Sequence, residues 1–297
     1  MSTSAQLRAV LDAIPRDFAA PEAGYLAVRK MFAPFHGHPV GEDFQVTMTE
    51  LGGVRCGSYA LAGTASDLVA FHCHGGALVS TPVDQYHFYA EIIARQLGCE
   101  VIMPDYRLAP EHPYPAAHDD CFHAYRGLLQ SGRDPRSIVV MGESCGGALA
   151  VGALLRARDA GLPMPLCFVS LTGWFDLSVA GPAVPGRDPF LTPEWVRNRG
   201  RDYVGGHMAL DDPQVSPAYA DLAGLPPLYL QIGECDTMRR GAERLAASAR
   251  AVGVAVTEEA WPGMVQGWQG LVTAGVPEAT AAWSAIRDYV LQQAGRR

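Results

Sequence analysis

The sequence predicts an α/β fold built on a central, mostly parallel β-sheet with helices on both faces. Short apolar runs alternate with longer segments of helical periodicity from residue 68 onwards, which is typical of a parallel sheet covered on both sides. Two alternating strands precede this region, and a Gly-x-Ser-x-Gly sequence lies between an apolar run and a helix. With 48% hydrophobic residues among 297, the chain has enough apolar material for one large core, or at most two smaller ones.

The predicted elements follow one another regularly along the chain. Residues 1–40 indicate one or two amphipathic helices interrupted at Pro15 and Pro21. Residues 45–51 and 54–61 predict a hairpin that turns at Gly52-Gly53. The later strands are predicted at residues 68–73, 100–104, 137–141, 166–171, 228–232 and 254–259, and the later helices at residues 82–97, 116–129, 144–159, 240–251 and 278–293.

Residues 178–215 interrupt this alternation. The segment is rich in Pro and Gly and contains one helical stretch near residues 193–203. We therefore predict a small helical cap made of residues 1–40 and 178–215, and a main α/β domain made of residues 41–177 and 216–297. The cap is expected to limit the size of a bound molecule.

Composition excludes several classes of function. The net charge of −8 and the lack of a Lys/Arg cluster argue against nucleic-acid binding. No signal-peptide pattern opens the chain and no apolar run reaches 18 residues, so we expect a cytoplasmic protein without a membrane span. The seven cysteines are scattered and never form C-x-x-C, which predicts free thiols. We expect no cofactor, and the oligomeric state is left open, a homodimer included.

The strongest chemical signal is G-E-S-C-G-G at residues 142–147. Glycines around Ser144 allow the chain to turn sharply from strand to helix, which exposes the serine hydroxyl as a nucleophile. The N-terminus of the following helix favours negative charge at the same place. The pattern therefore predicts a nucleophilic serine rather than an incidental one in a glycine-rich turn.

A second motif, H-G-G-A at residues 74–77, follows the strand that ends at Cys73 and lies about 70 residues before Ser144. An oxyanion-binding loop occupies this place in hydrolases of this architecture. We expect backbone N–H groups from this loop and from Cys145 to stabilise an oxyanion. The candidate oxyanion residues are Gly75, Gly76, Ala77 and Cys145.

These motifs together resemble the bacterial branch of the hormone-sensitive lipase family, carboxylesterases with the α/β-hydrolase fold. The segment D-Y-R-L-A-P-E-H-P at residues 105–113 matches that family's second motif without change, and residues 188–193 resemble its cap segment. The resemblance implies a small ester or acyl substrate, Asp236 as the triad acid and a bracing role for the 105–113 segment. We also expect His74, Trp174, Phe190, His207 and Trp268 to line or support the substrate site.

Two departures from the family pattern stand out. Ala77 replaces the third glycine of H-G-G-G, which keeps the N–H group and adds one methyl. The larger departure is Gln266, which stands where the family's G-M-x-H-G-F turn has its histidine. An amide cannot accept a proton near neutral pH, whereas serine needs an adjacent base to become a good nucleophile. We therefore expect weak activity on ordinary esters.

Three interpretations stay open at this point. The chain is a hydrolase that lost its histidine, a lyase or cyclase that needs no base there, or a ligand-binding protein like the plant gibberellin receptors, which resemble this family. Two other histidines are alternative bases, His72 beside the oxyanion loop and His207 in the cap. We expect no metal at His72-Cys73-His74, because strand alternation turns Cys73 away from the two histidines.

Overall fold

The computed structural model describes residues 3–14, 20, 23–33, 39–182, 184 and 188–296. Its helices and strands follow in this order: α1 (Ala5–Ala13), α2 (Tyr25–Phe32), β1 (Phe44–Leu51), β2 (Val54–Leu61), β3 (Val69–Cys73), α3 (His87–Leu97), β4 (Glu100–Pro104), α4 (Ala116–Gln130), β5 (Ile138–Glu143), α5 (Gly146–Asp159), β6 (Cys167–Leu171), α6 (Pro193–Val204), β7 (Leu228–Gly233), α7 (Arg239–Ala251), β8 (Val256–Trp261) and α8 (Pro277–Gln293).

The strands of the described residues form one sheet in the order β1-β2-β4-β3-β5-β6-β7-β8. Strand β2 runs antiparallel to both β1 and β4, and the remaining neighbours pair in parallel. The β1–β2 hairpin turns at Gly52 and Gly53, whose φ angles of 59° and 82° suit the turn type preferred there. The predicted α/β fold with a mostly parallel sheet is confirmed.

Helices cover the sheet on both faces, and the strand residues alternate between the two layers. Val69, Phe71 and Cys73 of β3 pack in the layer that contains α4, α5 and α7. Ala70, between them, packs in the layer that contains α3 and α8. Because both faces are covered, β3, β5, β6 and β7 are buried throughout their length. The carboxyl ends of these strands are where the site described below is assembled.

The predicted boundaries of the later elements differ from the structure in two instructive places. The helix predicted over residues 82–97 begins as a 3₁₀ turn at Val83–Gln85, and its α-helical part starts only at His87. The helix predicted from residue 144 starts at Gly146, because Ser144 has a φ of 52° and cannot be helical. The predicted breaks at Pro15 and Pro21 lie outside the described residues.

The helix predicted near residues 193–203 is α6. Its N-cap Thr192 accepts a hydrogen bond from the backbone N–H of Trp195, with Pro193 in the first turn, and Gly205 ends the helix in the left-handed conformation. These local signals explain why it was recognisable inside an otherwise irregular segment. Within the described ranges, no helix has the length and apolar character needed to cross a lipid bilayer.

Candidate active site

Ser144 lies at the sharp turn between β5 and α5. Its φ of 52° is in the left-handed region, where few residues other than glycine are found. The flanking glycines are sterically required: a Cβ on Gly142 would lie 2.6 Å from the carbonyl oxygen of Gly146, and one on Gly146 would clash with the carbonyl of Cys73. The strand–turn–helix context predicted for this serine is therefore present. Ser144 also lines a cavity.

The loop that follows β3 shares a cavity with Ser144. Gly76 and Ala77 have φ angles of 116° and 58°, and both line the same cavity as Ser144. Cys145 is the N-cap of α5, which places its backbone N–H at the positive end of that helix. Gly75 does not line this cavity, and the place of a Cβ on Gly75 is taken by the carboxyl of Glu143. Three of the four candidate oxyanion residues thus surround the serine.

The loop is held in place by contacts from the segment that follows β4. The Tyr106 hydroxyl donates to the carbonyl of His74 at 2.9 Å, and the N–H of Ala109 donates to the carbonyl of Leu78 at 2.9 Å. The N–H of Leu78 in turn donates to Sγ of Cys145 at 3.2 Å. The sulfur of Cys145 therefore lies against the loop that follows β3.

Gln266 connects Ser144 to Asp236. In the amide orientation that satisfies its neighbours, Nε2 donates to Oδ2 of Asp236 at 3.0 Å and to Oγ1 of Thr172 at 3.1 Å. Oε1 accepts from the Ser144 hydroxyl at 3.2 Å. Thr172 Oγ1 also accepts the N–H of Gly267 at 3.0 Å, which anchors this turn to the end of β6. The result is an unbroken chain of hydrogen bonds between hydroxyl and carboxyl.

Two buried carboxyl groups lie at the Asp236 end of this chain of hydrogen bonds. Asp236 accepts the backbone N–H of Met238 at 2.8 Å, and burial together with the charge of Asp188 raises its pKa well above the ordinary value. Asp188 accepts the N–H groups of Phe190 at 2.9 Å and Thr237 at 3.2 Å, while burial raises its pKa to about 6. Two adjacent buried carboxyls are disfavoured from ionising together, and sequence reasoning had not connected Asp188 with the triad acid.

Glu143, directly before the nucleophile, carries a third buried carboxyl and lines the cavity. The Tyr86 hydroxyl donates to its Oε2 at 2.6 Å. Burial raises the pKa of Glu143 to about 7, opposed by hydrogen bonds from Tyr86 and the backbone of Gly75. Sequence reasoning missed this residue, although an ionisable side chain next to the nucleophile was a visible signal.

A cavity of about 300 Å³ opens above Ser144, and its walls are mostly apolar. Residues of α1, α2 and α6, the loop after β3 and the turn around Gln266 all contribute to it. It is lined by Val10, Ile14, Phe32, Gly76, Ala77, Thr81, Tyr86, Phe88, Tyr89, Glu143, Ser144, Phe190, Leu191, Trp195, Gln266, Gly267, Gly270 and Leu271. Of the residues suggested for substrate binding, Phe190 is among them.

The other suggested substrate residues do not line this cavity. His74 stacks on Tyr106 with ring centroids 4.2 Å apart, Trp174 donates its Nε1–H to the carbonyl of Asp176 at 2.8 Å, and Trp268 is fully buried. These three side chains are buried, so they contribute to packing and not to the wall of the cavity. His207 is exposed and lies beside Gly205 at the end of α6.

The two histidines considered as alternative bases are likewise absent from the cavity wall. His72 stacks on Tyr89 with ring centroids 5.6 Å apart, and burial lowers its pKa to about 3. Such an imidazole is neutral but is enclosed by the core. His207 is exposed and does not line the cavity that contains Ser144. Among the described residues, the side chain within hydrogen-bonding distance of the Ser144 hydroxyl is the Gln266 amide.

Comparisons with known proteins agree with this architecture. A family described as the alpha/beta hydrolase fold matches residues 70–270. An esterase of Acinetobacter venetianus is 31% identical over 254 residues, which cover 84% of this chain and 83% of the relative. An acetyl-hydrolase of Streptomyces hygroscopicus is 34% identical over 203 residues, 66% of this chain and 67% of the relative. The crystal structure of an esterase from the bacterial hormone-sensitive lipase family superposes with a TM-score of 0.90, at 34% identity over 99% of this chain and 100% of the other.

Proposed function

The chain belongs to the α/β-hydrolase family, in the bacterial hormone-sensitive lipase branch, and from that membership we propose that it is a serine carboxylesterase with an altered triad. Its substrate is a small ester or related acyl compound whose apolar part fits the cavity above Ser144. One observation carries the proposal: a strained nucleophile turn and a backbone oxyanion loop line the same apolar cavity.

In this reaction Ser144 Oγ attacks the carbonyl carbon of the bound ester. Negative charge develops on the carbonyl oxygen and is stabilised by the N–H groups of Gly76, Ala77 and Cys145. The alcohol leaves, and water then releases the acyl group from the serine. The contacts from Tyr106 and Cys145 hold the loop in its strained conformation before substrate binds, so that little reorganisation is needed during the reaction.

Gln266 occupies the place of the triad histidine in this proposal. Its amide joins Ser144 to Asp236 as an imidazole would, but it takes up no proton near neutral pH. The proton transfer that a histidine supplies is worth roughly 10²–10⁴-fold in rate. Oxyanion stabilisation and binding alone retain about 10³–10⁴-fold acceleration over water. Activity on generic esters is therefore expected to be weak but measurable.

The substitution Gln266→His tests the proposal, with hydrolysis of p-nitrophenyl butyrate as the readout. We expect kcat/KM to rise by about 10²-fold or more, because every other part of a triad is in place. Gln266→Asn is the matched control, since a shorter amide supplies no base and should give no gain. A folded Gln266→His variant without any gain would contradict the hydrolase proposal and favour a non-hydrolytic enzyme or a ligand-binding protein.

A further inference from the structure

We propose that the acyl group which an ester leaves on Ser144 passes to a neutral primary amine in preference to water, so that the protein is an acyltransferase as well as an esterase. The inference rests on the proposed function and deepens it. It names the step that Gln266 slows most and the class of acceptor that avoids this step. The orientation of the Gln266 amide carries the inference.

The Gln266 amide is held with its oxygen towards the nucleophile. Its Nε2 donates to Oδ2 of Asp236 at 3.0 Å, and it lies 3.2 Å from the carbonyl oxygen and 3.1 Å from Oγ1 of Thr172. Its Oε1 accepts the hydroxyl proton of Ser144 at 3.2 Å. Turning the amide over would place Oε1 against the three oxygens, and the side chain is buried. Ser144 therefore donates to an acceptor that cannot take up its proton.

The loss of this proton transfer slows the two halves of the reaction unequally. When an ester with a good leaving group acylates Ser144, the leaving group departs as an anion, so only the removal of the serine proton lacks catalysis. In deacylation, water must lose a proton and Ser144 Oγ, a poor leaving group, must gain one. A histidine performs both tasks in turn, and each is worth roughly 10²–10⁴-fold. Deacylation by water is therefore slowed more, and acyl-Ser144 accumulates.

Acylation also changes what the oxygen of Gln266 contacts. Ser144 Oγ has no hydrogen once the acyl bond has formed, so Oε1 loses the donor that it has in the free protein. A buried acceptor without a donor is unfavourable. An incoming N–H or O–H group that donates to Oε1 restores this hydrogen bond and lies next to the acyl carbon. Gln266 therefore positions the molecule that attacks acyl-Ser144.

A neutral primary amine suits this place better than water. Its nitrogen is nucleophilic without losing a proton, whereas a hydroxyl needs an adjacent base. The described residues that line the cavity include the Glu143 carboxyl but no Lys, Arg or His, so a basic acceptor meets no cationic side chain among them. Their mostly apolar surface favours the neutral amine over its ammonium form.

The atoms and protons of the transfer balance without a base from the protein. In acylation the bond from Ser144 Oγ to the acyl carbon forms, the bond to the leaving oxygen breaks, and the serine proton passes to solvent. In the transfer, the amine nitrogen bonds to the acyl carbon, the bond to Oγ breaks, and one proton moves from the nitrogen to Oγ. The products are an amide and Ser144 with its hydroxyl restored.

Rapid mixing with p-nitrophenyl butyrate tests whether acyl-Ser144 accumulates. We expect a burst of one p-nitrophenol per protein, followed by a steady rate about tenfold or more slower. Intact-mass spectrometry should find a butyryl group that is missing from Ser144→Ala. Gln266→His should show no burst, because an imidazole speeds deacylation more than acylation. Linear release by the natural protein, without a butyryl group on Ser144, would overturn the inference.

Two acceptors of equal size, n-butylamine and 1-butanol, test the transfer itself. At mildly alkaline pH, n-butylamine should raise the steady rate and yield N-butylbutyramide, whereas 1-butanol, which needs a base, should have little effect. The amide-to-acid ratio, corrected for the Ser144→Ala background, should be about tenfold or more above that of Gln266→His. Equal ratios in the two proteins overturn only the transfer to amines. If folded Gln266→His releases no more p-nitrophenol than Ser144→Ala, the hydrolase proposal fails as well.

Discussion

The side-chain amide of Gln266 donates a hydrogen bond to Oδ2 of Asp236 at 3.0 Å. In a Ser-His-Asp triad the acid both orients the imidazole and stabilises the imidazolium that forms during the reaction. An amide never becomes a cation here, so the negative charge of Asp236 has nothing to stabilise in the transition state. Burial, together with the charge of Asp188, raises the pKa of Asp236 well above its ordinary value.

This relationship predicts that the charge of Asp236 matters only when a histidine is present. Asp236→Asn should change kcat/KM by less than about tenfold in the natural background, because no cation forms there that a carboxylate would stabilise. In the Gln266→His background the same change should cost about 10⁴-fold, as the loss of a triad aspartate does. Steady-state rates of the four variants on one ester measure both effects. Similar losses in the two backgrounds would argue against this account of Asp236.

Labelling by a fluorophosphonate reports how reactive Ser144 is. We expect slow labelling of the natural protein and much faster labelling of Gln266→His, because attack on phosphorus also requires removal of the serine proton. Ser144→Ala is the control that should show no label. Mass spectrometry of the peptide containing residue 144 measures the rate, and equally fast labelling of the natural and Gln266→His proteins would contradict an impaired triad.

The apolar cavity predicts a preference among acyl chains. Each added methylene that becomes buried contributes about 0.8 kcal/mol, or roughly fourfold in kcat/KM, until the 300 Å³ cavity is full. Phe190 is half-buried and forms part of the wall of this cavity. Phe190→Ala should therefore move the optimum of a p-nitrophenyl ester series towards longer chains, while Phe190→Leu should move it less. The idea would be wrong if all three proteins shared one optimum.

Cys145 should contribute to stability through its sulfur. Cys145→Ala removes the acceptor for the N–H of Leu78 and leaves that buried donor unpaired. The expected cost is about 1–3 kcal/mol in the free energy of unfolding. Cys145→Ser keeps an acceptor and should cost less. Urea unfolding of the three proteins makes the comparison, and an alanine variant as stable as the serine one would exclude this contact as a significant stabiliser.

Glu143 should make stability depend on pH. Its pKa of about 7 exceeds the ordinary carboxyl value of 4.5, so the folded state binds the proton more tightly than the unfolded state does. The contribution of protonated Glu143 to the free energy of unfolding is therefore fully present at low pH. It is lost as the pH rises from about 4.5 to 7. Glu143→Gln should remove this decline and give a higher Tm than the natural protein at pH 8. Parallel Tm curves between pH 4 and 8 would contradict the raised pKa.

Much of the site could be predicted because its central parts are local. The Gly-x-Ser-x-Gly turn is written in five consecutive residues, and glycine is required at residue 142 by the backbone of Gly146 within the same turn. Tyr86 and Thr172 could not be predicted in the same way. Each reaches the site from a separate loop, and nothing in its own neighbourhood of the sequence indicates that it will contact Glu143 or Gln266.

The sequence by itself determined the strand and helix order and the glycine-flanked turn at Ser144, since periodicity and glycine placement act on residues close in the chain. Only the tertiary structure decided that Phe190 lines the cavity while Trp174 and Trp268 lie behind it. It also decided that the pKa values of Glu143 and Asp236 are raised. The physical reason is that side-chain direction and desolvation depend on every element packed around a residue, and these elements are distant in sequence.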